Sequence, residues 1–323
     1  MSASAAACGK GAAALVLHHY DFSNYSEKVR LVLGLKGLAW RSVTIPAWAP
    51  KPDYTPLTAG YRRTPALQLG ADVYCDTALI VEVLEARAPR PTLYPGDDPP
   101  RVRALTAALV HWAEVSLCRP LALYITGRHA ARFPPEFHAD RARLHGRPLP
   151  SLAQVEASAA KYQAQVAPQL AHIEALLGDG RAWILGDAPG LADLALYEGP
   201  WFLHTIGGAA ALPAGLPRLR AWMARVAALG HGTSQPLSAA DALAMARAAT
   251  PCAVRLTPGA EAPEGVRVGD DVVVRPLDED APARGRLAAL DRERITLAID
   301  SAASGPVHVH FPRLGYRLGR ARG

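Results

Sequence analysis

The sequence predicts an α/β unit, an all-helical unit and a small β-rich unit, in that order along 323 residues. Three changes of rhythm carry this division. From 13 to 97, strand-like and helix-like runs alternate, as a mixed sheet with helices packed on it requires. From 98 to 250 the strands vanish, and Ala- and Leu-rich runs follow one another between Pro and Gly breaks, the pattern of a helical bundle. From 251 to 323, short alternating segments return between Gly, Asp and Pro, as in a small barrel or sheet.

In the first unit, AALVLHHY reads as a short buried strand. It runs into SEKVRLVLGLKG, where Val29, Val32, Leu33 and Lys36 keep helical spacing and Gly37 marks a stop. RSVTI is a second strand, followed by a Pro-rich loop from Pro46 to Pro56. PALQL and DVY make two strands around the turn Gly70-Ala71-Asp72, and Asp76 is a good N-cap for TALIVEVLEARA, which stops at Pro89. In the second unit, helices are expected near 100–131, 151–178, 191–206, 216–229 and 238–249, the second one kinked at Pro168. FPPEFHADRARLHGRPLP reads as a long connection, a lid or a mobile loop. The third unit holds VRVGDDVVVRP, ARGRLAALDRERITLAID and PVHVHFPRLGYRL as its β-rich stretches.

Composition narrows the function class. The net charge is +6, yet residues 251–323 hold 11 Arg and Lys against 10 Asp and Glu, a difference of +1, and no run of five basic residues occurs. A phosphate-tracking patch shows such runs, so no nucleic-acid partner is expected. No stretch gives 18 consecutive apolar residues, so no membrane span is expected, and the start MSASAAACGKGAAA lacks the charged-then-apolar order of a signal peptide. Cys8, Cys75, Cys118 and Cys252 are widely spaced with no C-x-x-C pair, which speaks against a disulfide framework or zinc knuckle and suits a cytoplasmic protein. His308 and His310 share a strand face, but two ligands do not make a metal site, and no metal is expected.

The segment from Tyr20 to Arg30 is the richest in chemistry. A buried strand ends and a helix begins within it, leaving Ser23 and Ser26 near unpaired N–H groups and the positive end of a helix dipole. Such a place favours an anion, a thiolate included. A serine hydroxyl there can donate to a bound thiolate or serve as a plain N-cap, and spacing alone favours the cap.

Ser-x-x-Ser-x-Lys-Val-Arg after a first strand resembles the active-site segment of the cytosolic glutathione S-transferase superfamily. That resemblance implies a thioredoxin-like α/β N-terminal domain (13–97), an all-α C-terminal domain (98–250) and, outside the family pattern, a small barrel-like all-β appendage (251–323). Ser23 falls where serine-type members keep the residue that activates the glutathione thiol, and Ser26 where a thioredoxin keeps its second cysteine. With serine at both, disulfide exchange through a thiol of the protein loses its chemistry. Tyr20 resembles the tyrosine that other classes use, with a poorer fit. Arg63-Thr64-Pro65-Ala-Leu resembles the family's cis-proline segment, which implies a backbone contact from Thr64 to the cysteinyl part of glutathione. Asp76-Thr77, eleven residues after Pro65, resembles the acidic residue and hydroxyl that grip the γ-glutamyl end.

Further along, Gly-Asp-Ala-Pro-Gly190-Leu-Ala-Asp193 resembles the family's capping box, with Gly190 in place of the hydroxyl residue and Asp193 structural. Tyr124, His111, Trp112 and Cys118 are candidates for the electrophile pocket, or equally for a core stripe. The implied function is conjugation of the glutathione thiolate, as co-substrate, to a small apolar electrophile in a pocket at Ser23, Thr64, Pro65, Asp76 and Thr77. The implied assembly is a homodimer. The competing reading is a non-catalytic protein of the same fold that docks a protein partner through 251–323, motivated by Asn24 where proline is common, by Gly190 and by the extra β unit.

Overall fold

The computed structural model describes residues 13–254 and 262–321; the Ala-rich start lies outside them. β1 (Val16–His19) is buried along its whole length because it lies between two neighbours, β2 (Ala39–Thr44) in parallel and β3 (Ala66–Leu69) antiparallel. β3 turns through Gly70 (φ 62°) into antiparallel β4 (Asp72–Cys75). α1 (Asn24–Leu35) starts at the Ser23 cap, and Gly37 (φ 59°) takes the left-handed turn that ends it. Gly34 has a packing reason. A Cβ there would lie 1.9 Å from the Gly230 carbonyl oxygen, so only glycine lets α1 touch that loop. α2 (Thr77–Arg87) follows β4 directly.

Helices follow from Pro99 to Ala227; the strand-free stretch expected over 98–250 is broken at its end by a strand over Thr233–Pro236. α3 (Pro99–His111) passes through a π-helical segment (Trp112–Cys118) into α4 (Arg119–Arg128). The stretch read as a long connection instead carries α5 (Pro135–Leu144). Pro135 opens this helix with a preset φ, and Phe137, Asp140 and Leu144 occupy its buried stripe. An aspartate at the middle of that stripe masks the apolar period that would have marked it. α6 (Leu152–Leu176) runs through Pro168, and α7 (Leu191–Gly207) and α8 (Pro217–Ala227) follow.

Asp193 is a structural hub, as its place in the capping box implies. Its Oδ2 accepts the Gly190 N–H at 3.0 Å, while Oδ1 accepts the Ile184 N–H at 2.9 Å and the Trp222 Nε1–H at 2.8 Å. Gly190 has a reason too. A Cβ at that position would meet Pro95 Cδ at 2.9 Å and the Leu93 carbonyl oxygen at 3.0 Å, so the hydroxyl residue of the family pattern does not fit.

The chain then returns to the sheet. β5 (Thr233–Pro236) pairs in parallel with β2, and α9 (Ala239–Arg247) packs beneath. β6 (Asp271–Pro276), β7 (Ala283–Leu290), β8 (Arg294–Ser301), β9 (Gly305–Pro312) and β10 (Tyr316–Arg320) form the C-terminal β unit, antiparallel throughout. This unit continues the first sheet. β9 pairs in parallel with β4, with Asp72 opposite His308 and Tyr74 opposite His310, giving the order β10-β6-β7-β8-β9-β4-β3-β1-β2-β5.

Alternation along the strands divides the core between two faces. Leu15, Leu17, Leu67 and Leu69 join α1, α2 and the helical unit around Leu117, Leu194 and Trp222. Val16, Val43, Ala66 and Val73 face the other way and pack with Ala242 and Leu243 of α9 and with Val274, Leu297 and Phe311 of the β unit. The histidine pair is absorbed here. His310 Nε2 bonds Asp72 Oδ1 at 2.8 Å, and His308 Nδ1 lies 3.1 Å from the Cys252 carbonyl. Cys75 and Cys118 are free and buried, whereas Cys252 is disulfide-bonded, which the wide cysteine spacing did not suggest.

Candidate functional site

Register brings the sequence-predicted residues together. His18 of β1 lies opposite Ala66 of β3, which lies opposite Cys75 of β4. Ser23 follows β1, Thr64-Pro65 precedes β3 and Asp76 follows β4, so all three corners sit at one end of the sheet. Ligands of α/β sheets gather at such ends, where strands hand over to helix N-termini.

At the first corner Ser23 caps α1. Its Oγ accepts the Ser26 N–H at 3.2 Å, and its N–H donates to the Tyr20 carbonyl at 3.2 Å. The hydroxyl proton is not used by that cap and remains able to donate. Ser23 is only 2% exposed. Ser26 is buried, and its Oγ has no hydrogen-bond partner. Beside them, Asn24 Nδ2 donates to Cys118 Sγ at 2.8 Å. Burial pushes the Cys118 thiol pKa up, so this cysteine is held as an unreactive thiol.

At the second corner the Thr64–Pro65 peptide bond is cis. Lys51, which belongs to none of the three motifs, donates from Nζ to Thr64 Oγ1 at 3.0 Å and to the Arg62 carbonyl at 3.1 Å. It is 6% exposed, and its ammonium lies 5.8 Å and 5.4 Å from the Tyr20 and Tyr54 ring centres. Burial and the nearby Arg141 and Arg62 guanidinium groups pull its pKa down to about 7, against the pull of Asp140.

At the third corner Asp76 holds φ at 76°, a left-handed conformation that few side chains adopt. Its Oδ1 accepts the Ala78 N–H at 2.9 Å, and its Oδ2 accepts the Tyr316 hydroxyl of β10 at 2.8 Å. Burial and the Glu114 carboxylate raise the Asp76 pKa, opposed by the hydrogen bonds from Ala78 and Tyr316. Thr77 is buried, and its Oγ1 lies 3.5 Å from Glu114 Oε1. Glu114 comes from the π-helical segment, a local rewinding frequent at functional sites. Behind it Lys28, 1% exposed, bonds Glu114 and lies 2.8 Å from buried Glu198. Burial alone would depress the Lys28 pKa, but the two carboxylates raise it. Burial drives Glu198 up to about 8 despite Lys28.

An aromatic wall stands beside Ser23. Phe22 packs against Tyr20 (4.9 Å between ring centres), Phe133 (6.3 Å) and Phe137 (6.4 Å), and Trp48 meets Phe137 edge-on at 6.3 Å. Two of these rings come from α5 and its approach, the stretch read as a connection. Of the proposed electrophile-pocket residues, Cys118 touches this end of the sheet through Asn24. Trp112 lines a separate cavity of about 430 Å³ with Leu109, His172, Ala175 and Leu176. Another cavity, about 360 Å³, opens on the β unit between Arg275, Arg284, Arg317 and Arg320. The three corners themselves are closely packed, with Asp76 and Thr64 their half-buried members.

The fold is shared with known proteins. Residues 17–92 match the family model described as glutathione S-transferase, N-terminal domain, and residues 154–225 match that of the C-terminal domain. A GST-like protein from Pseudomonas syringae, solved by crystallography, is 34% identical, with a TM-score of 0.74 over 96% of this chain and 100% of that one. Its coverage includes the β unit. Glutathione S-transferases from Rhodospirillum rubrum (22% identity, TM-score 0.51) and Sinorhizobium meliloti (21%, 0.51) share the fold over 66% of this chain and 87% of theirs. No curated protein matches the chain. Among the described residues no helix is long and apolar enough to cross a membrane. With its thioredoxin-like domain, its all-helical domain and the added C-terminal β strands, the chain belongs to the glutathione S-transferase family.

Proposed function

We propose that this protein conjugates the thiolate of glutathione to an apolar electrophile. The observation that carries the reading is the meeting of three corners at one sheet end: the Ser23 cap, the Thr64-Pro65 entry to β3 and Asp76 at φ 76°. Glutathione lies across them. Ser23 donates its free hydroxyl proton to the sulfur while the N-terminus of α1 favours the negative charge. A thiol titrates near 8.5, and each unit of lowering corresponds to about 1.4 kcal/mol, so one such hydrogen bond leaves much of it ionised at pH 7. Thr64 pairs its backbone with the cysteinyl residue, next to Pro65. Asp76 and the N–H groups of the Thr77 turn hold the γ-glutamyl ammonium and carboxylate, and Lys51 holds the glycyl carboxylate at the opposite end. The sulfur then attacks an electrophilic carbon resting on Phe22, Phe133 and Phe137. A C–S bond forms, and the displaced electron pair leaves with the leaving group or stays on an activated acceptor. The reading includes a cytoplasmic homodimer.

A second reading is favoured by the burial of Ser23 and by the depth to which the β unit is built into the sheet. It makes the protein a binding scaffold whose β unit docks a protein partner. Calorimetric titration with glutathione, repeated on Ser23→Ala and Thr77→Ala, separates the two. Conjugation predicts binding that Thr77→Ala weakens, and turnover of a model electrophile that Ser23→Ala abolishes. Absence of binding at millimolar glutathione refutes the enzyme; binding without turnover across a broad electrophile panel favours the scaffold.

A further inference from the structure

The C-terminal β unit reaches the γ-glutamyl corner with one side chain. We propose that Tyr316 is a positioning residue for an ammonium-bearing ligand, its hydroxyl orienting the Asp76 carboxylate that receives the amine. The inference rests on the glutathione reading for the identity of the ligand, and on the contacts of Tyr316 for the role.

Each Asp76 oxygen has one fixed donor, Ala78 N–H on Oδ1 at 2.9 Å and Tyr316 O–H on Oδ2 at 2.8 Å. The Ala78 bond is exposed and the Tyr316 bond partly buried. In the proposal an incoming ammonium meets the more accessible Oδ1, with Tyr316 holding Oδ2. A carboxylate oxygen accepts more than one hydrogen bond, so Tyr316 leaves room for the ligand. The Tyr61 hydroxyl lies 2.6 Å from that of Tyr316. Tyr316 has one proton, committed to Asp76, so Tyr61 is the donor to Tyr316, and the two bonds reinforce each other.

The tyrosine is held rigidly. It is 9% exposed, its ring packs 5.8 Å from Phe311 and 6.2 Å from Tyr61, and it pairs opposite Pro276 in the sheet. Arg63, next to the cis-proline corner, ties the β unit down through Glu279 at 2.7 Å and Asp278 at 2.5 Å. The β9–β4 pairing ends at Tyr74, two residues before Asp76.

The charged groups facing Asp76 make such a donor useful. Glu114, from the π-helical segment, opposes its ionisation along with burial; Lys28 of α1, the Ala78 N–H and the Tyr316 hydroxyl favour it. Removing one favourable donor from this balance moves Asp76 toward its neutral form, which cannot pair with an ammonium.

The test uses the full chain and Tyr316→Phe. Carboxyl-carbon NMR follows the titration of Asp76 without ligand, and calorimetry measures glutathione and its desamino analogue at pH 6 and pH 8. The expected result is an upward move of the Asp76 midpoint and about tenfold weaker glutathione binding, the effect of one hydrogen bond to a charged group. The loss is larger at pH 6, where the variant's Asp76 is more protonated, and the desamino analogue binds both proteins alike. An unmoved midpoint, an equal loss for both ligands, or tighter glutathione binding by the variant overturns the proposal, the last by showing that Tyr316 competes with the amine. An Asp76 midpoint that moves in Tyr316→Phe while the wild type binds no glutathione refutes the glutathione reading instead. Tyr61→Phe, which removes the donor to Tyr316, moves the midpoint the same way by less, and serves if Tyr316→Phe does not fold.

Discussion

Lys51 offers a sharp pH test of how the ligand sits. In the free protein its pKa is about 7 because of burial and the Arg141 and Arg62 charges. A glycyl carboxylate brought to its ammonium restores a partner and returns the group toward the ordinary lysine value near 10.4. A group whose pKa rises on binding takes up protons, so affinity is greatest below the free-protein pKa and falls as pH rises through it. The protonated fraction of a pKa 7 group falls about 25-fold between pH 6.5 and pH 8.5, and affinity falls with it. At pH 7.5 roughly three-quarters of a proton is absorbed per ligand bound. Titration of S-methylglutathione in buffers of different ionisation enthalpy measures this uptake directly, and the blocked thiol removes the opposing release at Ser23. Lys51→Met abolishes the uptake assigned to this group and lowers affinity at pH 6.5 by about 1.5–3 kcal/mol, one hydrogen bond to a charged group. Equal proton uptake in the wild type and Lys51→Met, or an unchanged affinity, refutes the assignment of Lys51 to the carboxylate.

Two further outcomes concern the framework. Asp193→Ala strands three buried donors, the N–H groups of Ile184 and Gly190 and the Trp222 indole, and is expected to lower unfolding stability by about 3–5 kcal/mol in urea titration, given about 1–3 kcal/mol per unsatisfied group with partial relaxation; a loss under 1 kcal/mol contradicts the hub role. Truncation after residue 250 uncovers the β4 edge and the side of the second core packed by Leu297, Val309 and Phe311. Such an edge pairs with other chains, so light scattering should find the truncated protein aggregated; a soluble, monodisperse product with native melting behaviour refutes the view that the β unit is part of the core.

Much of the framework was legible because it depends on short-range chemistry. Ser23 and Asp76 announce themselves as caps from residue type and from the apolar runs that follow, and their side chains accept N–H groups within three residues. The Asp193 box is equally local. α5 was hidden because a buried aspartate, neutralised by Arg62 and Arg141, replaces an apolar residue on its stripe. Glu114 was hidden for a related reason: a π turn changes which side chains share a face, so Glu114 lies beside Thr77 while Trp112 lines another cavity.

By itself the sequence determined the succession of α/β, helical and β-rich units and the Ser23 and Asp76 caps, since each rests on periodicity or capping within a dozen residues; the family was read from the resemblance of the Ser23, Thr64-Pro65 and Asp76-Thr77 segments. The tertiary structure alone decided what surrounds those corners. Lys51 reaches Thr64 across a loop, Glu114 reaches Thr77 from another domain, and Tyr316 reaches Asp76 across 240 residues. None of these pairs has a fixed spacing along the chain. The last exists because β9 pairs with the open edge of β4, and a sheet edge carries unpaired backbone groups whatever its sequence, so the choice of neighbour is made by packing.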